Sequence, residues 1–392
     1  MNIVLLRTNG CRPDPRVEKE VNSLLTLPDH RIKVICWDRD GRRGTFLENL
    51  EVDNGRVPII RFGVPASWGG GMRENFFPML RFEWKLFRWL MVHYREYDTI
   101  HACDLLTGLP AWLPCRLFHK KMVYDIFDYY AATQHGPEKL LSIFRKLENG
   151  IINCADVTIL CSEKRREQIS GSRPRKLVVL HNAPGSSQIL NCGNSTFTAQ
   201  GNPERTRIVY VGNLVDDRFV MKALACAKNL PEVEFHIGGF GVLEDQIRKM
   251  AEKHENIFFY GRLAYQDVLA LERQCHIVLA LYDPAVPNHA YAAPNKFYEA
   301  LALGKPLVMF HNTGMDAVVE QQDIGIVCEA TEAGLQEAFR TLIARKAEWQ
   351  RMSAVMQRLY QLEYSWDIMG QRLCQLYKDI NAYRLNSAHH KM

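Results

Sequence analysis

The sequence contains no uncharged run approaching the roughly 20 residues needed to cross a bilayer. Its opening, Met1-Asn2-Ile3-Val4-Leu5-Leu6, meets a charge at Arg7 and is too short for the apolar core of a secretory signal. It also lacks C-x-x-C and any Cys/His grouping at zinc spacing, although it has 11 cysteines. Most of these, Cys36 and Cys103 among them, sit in apolar runs where a free thiol packs as a small hydrophobe. An integral membrane protein and a disulfide framework are excluded, and the expected compartment is reducing and cytoplasmic. Neither sign of charge dominates: 49 Lys and Arg stand against 44 Asp and Glu, a formal +5. That balance suits an anionic small substrate or lipid headgroups but is too weak to call for nucleic acid. Three signatures are missing as well: the P-loop G-x-x-x-x-G-K-[ST], the nucleophile elbow G-x-S-x-G and a complete G-x-G-x-x-G. The nearest approach to the last is Gly238-Gly239-Phe240-Gly241, without a third glycine in register or a downstream acid. Neither a nicotinamide nor any other cofactor is expected.

Of the 392 residues, 47% are hydrophobic and 24% charged, the proportions of an ordinary globular chain, and the length calls for two or three domains. Short apolar, β-rich runs alternate with longer helical stretches, the pattern of parallel sheets with crossover helices. In the first half strands are expected at 3–6, 32–37, 57–62, 99–101, 122–126, 157–161 and 177–180, with helices starting near Pro15, Glu83, Leu105, Pro137 and Ser162. Most of these strands lack polar alternation, as strands covered on both faces do. The rhythm stops at 185–206, a stretch rich in Gly, Ser, Asn and Thr that reads as a linker. A second series follows at 207–211, 233–237, 257–260, 277–281, 307–310 and 324–328, then a helical tail from Glu332. The expected fold class is α/β: two doubly wound, Rossmann-like domains, 1–184 and 207–364, joined by the linker 185–206, with 365–392 as a terminal helix. Ligands of such folds bind at the carboxyl ends of the strands.

The most informative stretch is Ala293-Pro294-Asn295-Lys296-Phe297-Tyr298-Glu299, continuing to Gly304-Lys305-Pro306. Pro294 suits the first turn of a helix and Gly304 its end. Lys296 then falls in the first turn, where the helix dipole disfavours a cation. Either it and the free first-turn amides face an anion such as a phosphate, or it is a surface lysine with its head in water. Glu299, one turn on, is either a solvated acid or a carboxylate accepting two hydrogen bonds from vicinal hydroxyls.

This segment resembles the nucleotide-sugar site of GT-B glycosyltransferases, specifically the retaining enzymes of family 4, and the resemblance spans nearly the whole chain. It implies two domains facing across a cleft, the first binding acceptor and the second donor, with the last helix crossing back to the first domain. The family's E-x7-E motif ends in a ribose-binding glutamate. Glu299 and the residues to Pro306 match it, whereas Tyr291 stands at the place of the first glutamate. The P-N-K-F-Y-E form is similar to a subgroup pattern, P-[SN]-K-x-x-E. Tyr210 to Arg218 resembles a V-G-R-x-x-x-x-K segment whose two cations hold the diphosphate, with Asn213 at the Arg position and Arg218 at the Lys position. Taken alone, Arg218 is equally a solvent-facing residue beside the acids Asp216 and Asp217. Phe235 to Gly241 is similar to the glycine loop below the donor, which makes Gly239, Phe240 and Gly241 candidates, although a plain tight turn would use the same glycines. Arg262 and Tyr265 fall where the family meets the base.

In the first half, Asp14-Pro15-Arg16-Val17 resembles the opening of the family's first helix, after a loop containing Gly10. Asp14 and Pro15 are also an ordinary N-cap and N1 pair. His101-Ala102-Cys103-Asp104 matches a post-strand H-x-x-D loop and makes His101 and Asp104 candidates. Where many relatives end a strand with His-[DE], this chain has Phe127-Asp128. Asp128 either contacts the donor sugar or an acceptor hydroxyl, or caps a helix. Between 69 and 97, Phe76, Phe77, Leu80, Phe82, Trp84, Phe87, Trp89 and Met91 mix with Arg73, Arg81, Lys85 and Arg88. That mixture suits an anionic membrane surface, a helix covering the sheet with cations outward, or both. Tyr364-Ser365-Trp366-Asp367 resembles the start of the family's final helix, with Trp366 as its anchor.

The activity implied is retaining transfer of a hexosyl or N-acetylhexosaminyl group from a nucleoside diphosphate sugar, UDP ahead of GDP, to a glycan or lipid-linked acceptor in capsule or O-antigen synthesis. Arg218, Lys296 and the amides near Pro294 and Asn295 would hold the leaving diphosphate. No Asp-x-Asp metal site lies in a suitable loop, so no metal is expected. The expected partners are the donor, the acceptor and a peripheral contact with the cytoplasmic face of the inner membrane, with no nucleic acid. Two rivals stand beside this reading. One is a non-catalytic nucleotide-sugar binding subunit, for which Phe127, Asn213 and Tyr291 argue. The other is a GT-B nucleotide-sugar epimerase.

Overall fold

The computed structural model describes residues 1–41, 44–67, 71–134 and 136–389. The chain divides into two compact units, Met1–Leu180 with Met369–Met392, and His181–Ile368. Among the described residues no helix is long and apolar enough to cross a membrane.

The first unit holds an eight-stranded sheet: β1 (Asn2–Arg7), β2 (Arg31–Asp38), β3 (Thr45–Val52), β4 (Gly55–Gly63), β5 (Thr99–Cys103), β6 (Lys121–Ile126), β7 (Val157–Leu160) and β8 (Leu177–Val179). The spatial order is β3-β4-β2-β1-β5-β6-β7-β8. All pairs are parallel except β3 with β4. The uniform apolar runs became the parallel strands. Strand β3 escaped the sequence reading because it is a polar edge strand, TFLENLEV, joined to β4 by a tight turn at Asp53-Asn54. The helix expected near Glu83 starts earlier and spans Gly71–Val92, its apolar period obscured by Pro78 and by aromatic residues that face outward. Its inner face is Phe82, Leu86 and Leu90, and Phe82 stacks on Trp37 with ring centroids 5.0 Å apart. Gly69 and the Arg73 side chain lie outside the described residues.

Beneath the sheet's carboxyl end lies a polar knot. Arg16, buried on the helix Pro15–Leu24, donates to both oxygens of Asp125 at 2.9 Å and to Glu20 at 3.0 Å. His101 reaches Asp125 at 3.4 Å through Nε2 and the Tyr377 hydroxyl at 2.9 Å through Nδ1. Tyr377 belongs to the terminal helix Trp366–His389, which from Met369 onward packs within the first unit through Met369, Leu373, Leu376, Tyr377 and Ile380. Among the described residues, Glu20, His101 and Asp125 are the grouping with metal-ligand chemistry. Arg16 already supplies positive charge to both carboxylates.

The second unit holds six parallel strands: β9 (Thr206–Asn213), β10 (Val233–Phe240), β11 (Ile257–Phe259), β12 (Ile277–Leu279), β13 (Leu307–Phe310) and β14 (Gly325–Cys328). Their order is β11-β10-β9-β12-β13-β14. Residues 185–206, expected as a linker, cluster with this unit and carry the helix Ser186–Cys192. Their polar side chains and amides are engaged: Gln188 accepts from Gly185 N at 2.9 Å, Ser195 donates to Asp267 at 3.1 Å, and Ala199 N donates to Gln274 at 3.0 Å. The polar composition that reads as a linker supplies local capping and tethering here.

In each sheet the chain reverses its direction of travel once, between β1 and β5 and between β9 and β12. At such a switch point the loops leaving the two strands diverge and open a crevice at their carboxyl ends.

Candidate functional site

In the second unit the end of β9 meets Lys296 at the start of the helix Asn295–Leu303, and the segment after β12 leads into that helix. Arg218 ends a single 3₁₀ turn, Asp216–Arg218, and the chain then turns through Phe219 at φ 54°. Its guanidinium lies 4.1 Å from the centroid of the Tyr282 ring and pairs with the Asp217 carboxylate at 2.9 Å. Lys296 is 8% exposed, so it is not a surface lysine with its head in water. Its ammonium sits 4.7 Å over the Tyr210 ring and forms no ion pair among the described residues. Burial works against that charge, but Tyr210, Tyr282, Glu299 and Glu272 outweigh it and raise the lysine pKa. Both cations are thus parked on aromatic faces at the β9/β12 switch point.

The glycine next to Lys296 matters for its position. A Cβ on Gly212 would stand 2.6 Å from Lys296 Nζ. Gly239 and Gly241 are demanded by backbone approach: Cβ atoms there would lie 1.8 Å from Gly212 O and 2.4 Å from Leu214 O. These glycines let the end of β10 close on the end of β9 and on the loop after it.

Pro294 occupies the N-cap position of the Asn295–Leu303 helix, one residue before the expected first turn, and its side chain makes no capping hydrogen bond. Gly304 ends the helix at φ 64°, as expected. Asn295 accepts a hydrogen bond from Asn182 at 3.0 Å, and Tyr291 closes the 3₁₀ segment Pro287–Tyr291 that leads in. Glu299 is 4% exposed, which removes the solvated-acid reading. Burial first, and then Glu299 and Glu272, push the Tyr265 phenol well above its ordinary pKa. Glu272 is fully buried, both its oxygens lack a hydrogen-bond partner among the described residues, and burial followed by Glu299 drives its pKa far upward. Among the described residues, a lysine without an ion pair beside the unpartnered Glu272 carboxyl in one buried place is the mark of a site arranged for a ligand rather than for stability. Farther out, the Arg262 guanidinium covers the exposed Phe240 ring at 4.8 Å. Asn213 is exposed at the end of β9, with its carbonyl held by the Tyr210 hydroxyl at 2.8 Å.

In the first unit the β1/β5 switch point is closed by Arg7, which bonds Asp14 at 2.8 Å and Asp104 at 2.6 Å. Asp104 also accepts from the amides of Phe127 and Asp128 at 2.9 and 3.3 Å, so its carboxylate braces three loops. Phe127, in place of the expected histidine, has Arg7 and Arg16 at 4.0 and 4.4 Å from its centroid. Asp14 is an N-cap, accepting from Val17 N at 3.2 Å. Asp128 is the exposed acid here, 58% accessible at its side chain and paired with Arg165 at 2.9 Å. Gly10 has open space where a side chain would begin, the nearest atom being Trp37 O at 3.9 Å. His101 is not in a loop. It lies inside β5, wholly buried in the Arg16–Asp125–Tyr377 knot, because the strand runs two residues beyond its expected end.

Sequence reasoning did not single out Tyr210, Tyr282, Glu272 or His289. Tyr210 lies inside β9 and Tyr282 just after β12, in apolar runs where an aromatic ring reads as core, and Glu272 reads in sequence as part of the charged face of an amphipathic helix.

Residues 205–345 match the family described as Glycosyl transferases group 1. Residues 24–183 match the Glycosyl transferase 4-like domain. Among solved structures, a sucrose-phosphate synthase from Thermosynechococcus elongatus is similar with a TM-score of 0.73 at 14% identity, covering 98% of this chain and 100% of that one. HepE of Anabaena in complex with UDP gives 0.65 at 14% identity, over 97% and 100%. A UDP-N-acetylglucosamine 2-epimerase gives 0.53 at 14% identity, over 90% of each chain. No protein of curated function matches in sequence. Two Rossmann-like sheets in one chain with a terminal helix define the GT-B class. With a group 1 domain in its second half and a 4-like domain in its first, the chain is a GT-B glycosyltransferase.

Proposed function

We propose that the protein is a retaining, family 4-type enzyme that moves a hexosyl or N-acetylhexosaminyl group from a nucleoside diphosphate sugar, UDP ahead of GDP, to a glycan or lipid-linked oligosaccharide of a surface polysaccharide. The observation that carries the reading is the pair of cations on tyrosine rings, Arg218 on Tyr282 and Lys296, which has no ion pair among the described residues, on Tyr210. Negative charge grows on the leaving diphosphate as the glycosidic bond breaks. Preplaced donors oppose that cost, each worth roughly 2.7–4 kcal/mol where one has been deleted in other enzymes. Lys296, Arg218 and the first-turn amides at Asn295 and Lys296 fill this role. Glu299 accepts from the ribose hydroxyls and fixes register, while Phe240 and Arg262 border the base. Gly239 and Gly241 keep the floor of the site low. Asp128, the accessible acid of the first unit, meets the donor sugar or the acceptor hydroxyl, with Gly10 and Asp104 in the adjoining loops.

The acceptor reading draws on a surface of the first unit. Phe77 is 78% exposed and Trp84 60% exposed, joined by Leu80 and, on the neighbouring helix Leu105–Leu117, by Trp112 and Leu113. A groove of about 630 Å³ runs between these helices, lined by Leu80, Arg81, Glu83, Trp84, Phe87, Leu109 and Pro110. Apolar rings bordered by Arg81, Lys85 and Arg88 suit a peripheral contact with an anionic lipid surface on the cytoplasmic side.

The test is calorimetric titration of UDP and GDP into wild type and Glu299→Ala. Binding of one nucleotide, lost in the variant, is expected. A folded wild type that binds neither would overturn the donor site. The epimerase reading, favoured by the likeness to the 2-epimerase, is separated by product analysis: a free epimerised nucleotide sugar rather than a glycoside would select it.

A further inference from the structure

His289 lies at the other side of the switch point from Arg218, in the 3₁₀ segment Pro287–Tyr291 that follows β12. It is buried, and its ring meets the edge of Tyr282 at 5.1 Å and 87°. Nδ1 stands 2.8 Å from the Asp283 carbonyl oxygen. A carbonyl can only accept, so Nδ1 carries the ring proton and Nε2 is left as an acceptor. Nε2 is 3.2 Å from Arg218 Nη1. The same two loops are tied by their backbones, Asp283 N donating to Asp217 O at 2.9 Å, and Asp217 O also accepts from Arg218 at 3.3 Å.

Arg218 is therefore held from three sides, by the Tyr282 face, by Asp217 and by His289. The histidine contact differs from the other two. A ring face and a carboxylate attract any cation, but only a neutral imidazole with its proton on Nδ1 accepts a hydrogen bond at Nε2. We propose that His289 is the positioning residue for Arg218: as a neutral acceptor it aims the guanidinium into the β9/β12 crevice, and nucleotide affinity is lost when His289 takes up a proton. The inference rests on the proposed role of Arg218 toward the donor diphosphate.

The charges facing His289 give the sign. Arg218 opposes its protonation, as does burial, which is the larger influence; the Asp283 carbonyl and the Asp217 and Asp283 carboxylates favour it, and the balance lowers the pKa. The ring is neutral at pH 7 and above. On acidification, a proton on Nε2 points at Arg218 Nη1, and the imidazolium competes for Asp217, whose Oδ2 is 3.7 Å away. Arg218 then loses its acceptor and shares its carboxylate with a second cation. Because the free-histidine value is near 6.5 and the shift is downward, the loss sets in below that pH.

The experiment is calorimetric titration of UDP, and of GDP in parallel, between pH 5 and 8 into wild type, Arg218→Met, His289→Phe and His289→Gln, with thermal melts of each. Phenylalanine keeps a ring against Tyr282 but has no acceptor, and glutamine offers an amide oxygen near the Nε2 position. At pH 7.5, His289→Phe is expected to weaken nucleotide binding about tenfold and His289→Gln to restore it to within about threefold of wild type, with melting points not ordering the same way. Wild-type affinity falls below pH 6.5 more steeply than that of His289→Gln. The nucleotide's own phosphate titration is common to both and cancels in the comparison. Equal pH profiles for wild type and His289→Gln, or full affinity in a folded His289→Phe, would overturn the positioning role while leaving the donor site standing, provided Arg218→Met binds weakly. Unchanged binding in Arg218→Met, or no binding of either nucleotide by wild type, would overturn the donor reading and this inference together.

Discussion

Replacing Lys296 by methionine separates a lysine kept for a ligand from one kept for the fold. The side chain is nearly fully buried, lies on the Tyr210 ring at 4.7 Å and makes no ion pair among the described residues. Methionine has similar length and volume, so the Tyr210 contact stays filled. Exchanging a buried charge for an apolar side chain of the same shape is neutral or favourable by about 1–4 kcal/mol. Against that stand a lost cation–π contact of about 0.5–2 kcal/mol and the lost attraction of Glu299 and Glu272. The sum lies within about 1 kcal/mol of zero, a melting shift of no more than roughly 2–4 °C for a unit of this size. Binding behaves differently: a charge-assisted hydrogen bond to phosphate is worth about 1.5–3 kcal/mol, or about 10- to 150-fold in the affinity for UDP. Calorimetric titration and a thermal melt on the same preparation read both numbers. A melting point lowered by 8 °C or more, as follows removal of one partner of a buried ion pair, together with unchanged nucleotide affinity, would refute the argument and make Lys296 structural.

Gly239→Ala is expected to cost about 1–3 kcal/mol or more, since its Cβ meets Gly212 O at 1.8 Å, whereas Gly10→Ala, with 3.9 Å of room, changes stability by less than about 0.5 kcal/mol. Denaturant melts of the pair decide this, and equal stabilities would contradict the close approach of β10 to the end of β9. Glu20→Gln addresses the knot in the first unit. Burial, and then Asp125, push the Glu20 carboxyl up to about 7, so the folded state favours its protonated form and loses stability as pH rises from the ordinary glutamate value near 4.5 toward 7. Glutamine keeps the acceptor for Arg16 and mimics the proton. The variant is expected to melt higher than wild type at pH 8 and alike at pH 5, and a gain at pH 5 instead would reverse the assignment.

Much of the fold was legible because strands buried on both faces must be apolar throughout. Such runs as Val34 to Trp37 or Ile277 to Leu279 cannot hide. The parts that were missed are those whose burial depends on neighbours. Strand β3 is stable only as the outer partner of β4, and 185–206 reads as loose polar chain until the side chains that bind its amides are brought beside it. The site was legible in part. Pro294 to Glu299 stood out by its residues, and the helix Asn295–Leu303 lies where that pattern put it. His101 was misplaced because the end of a strand depends on pairing, and β5 continues to Cys103 beside β1 and β6.

The sequence by itself determined two series of parallel strands, the helix that carries Lys296 and Glu299, and the glycines that permit close backbone approach. These follow from periodicity and from conformational preferences that act over a few residues. Only the tertiary structure decided which groups are dry and what each charge meets. The Tyr210 ring under Lys296 comes from β9, and the Tyr282 ring under Arg218 and the His289 acceptor come from the loop after β12. A charge's surroundings are set by neighbours distant in the chain, and those are fixed only when the strands take their order in the sheet.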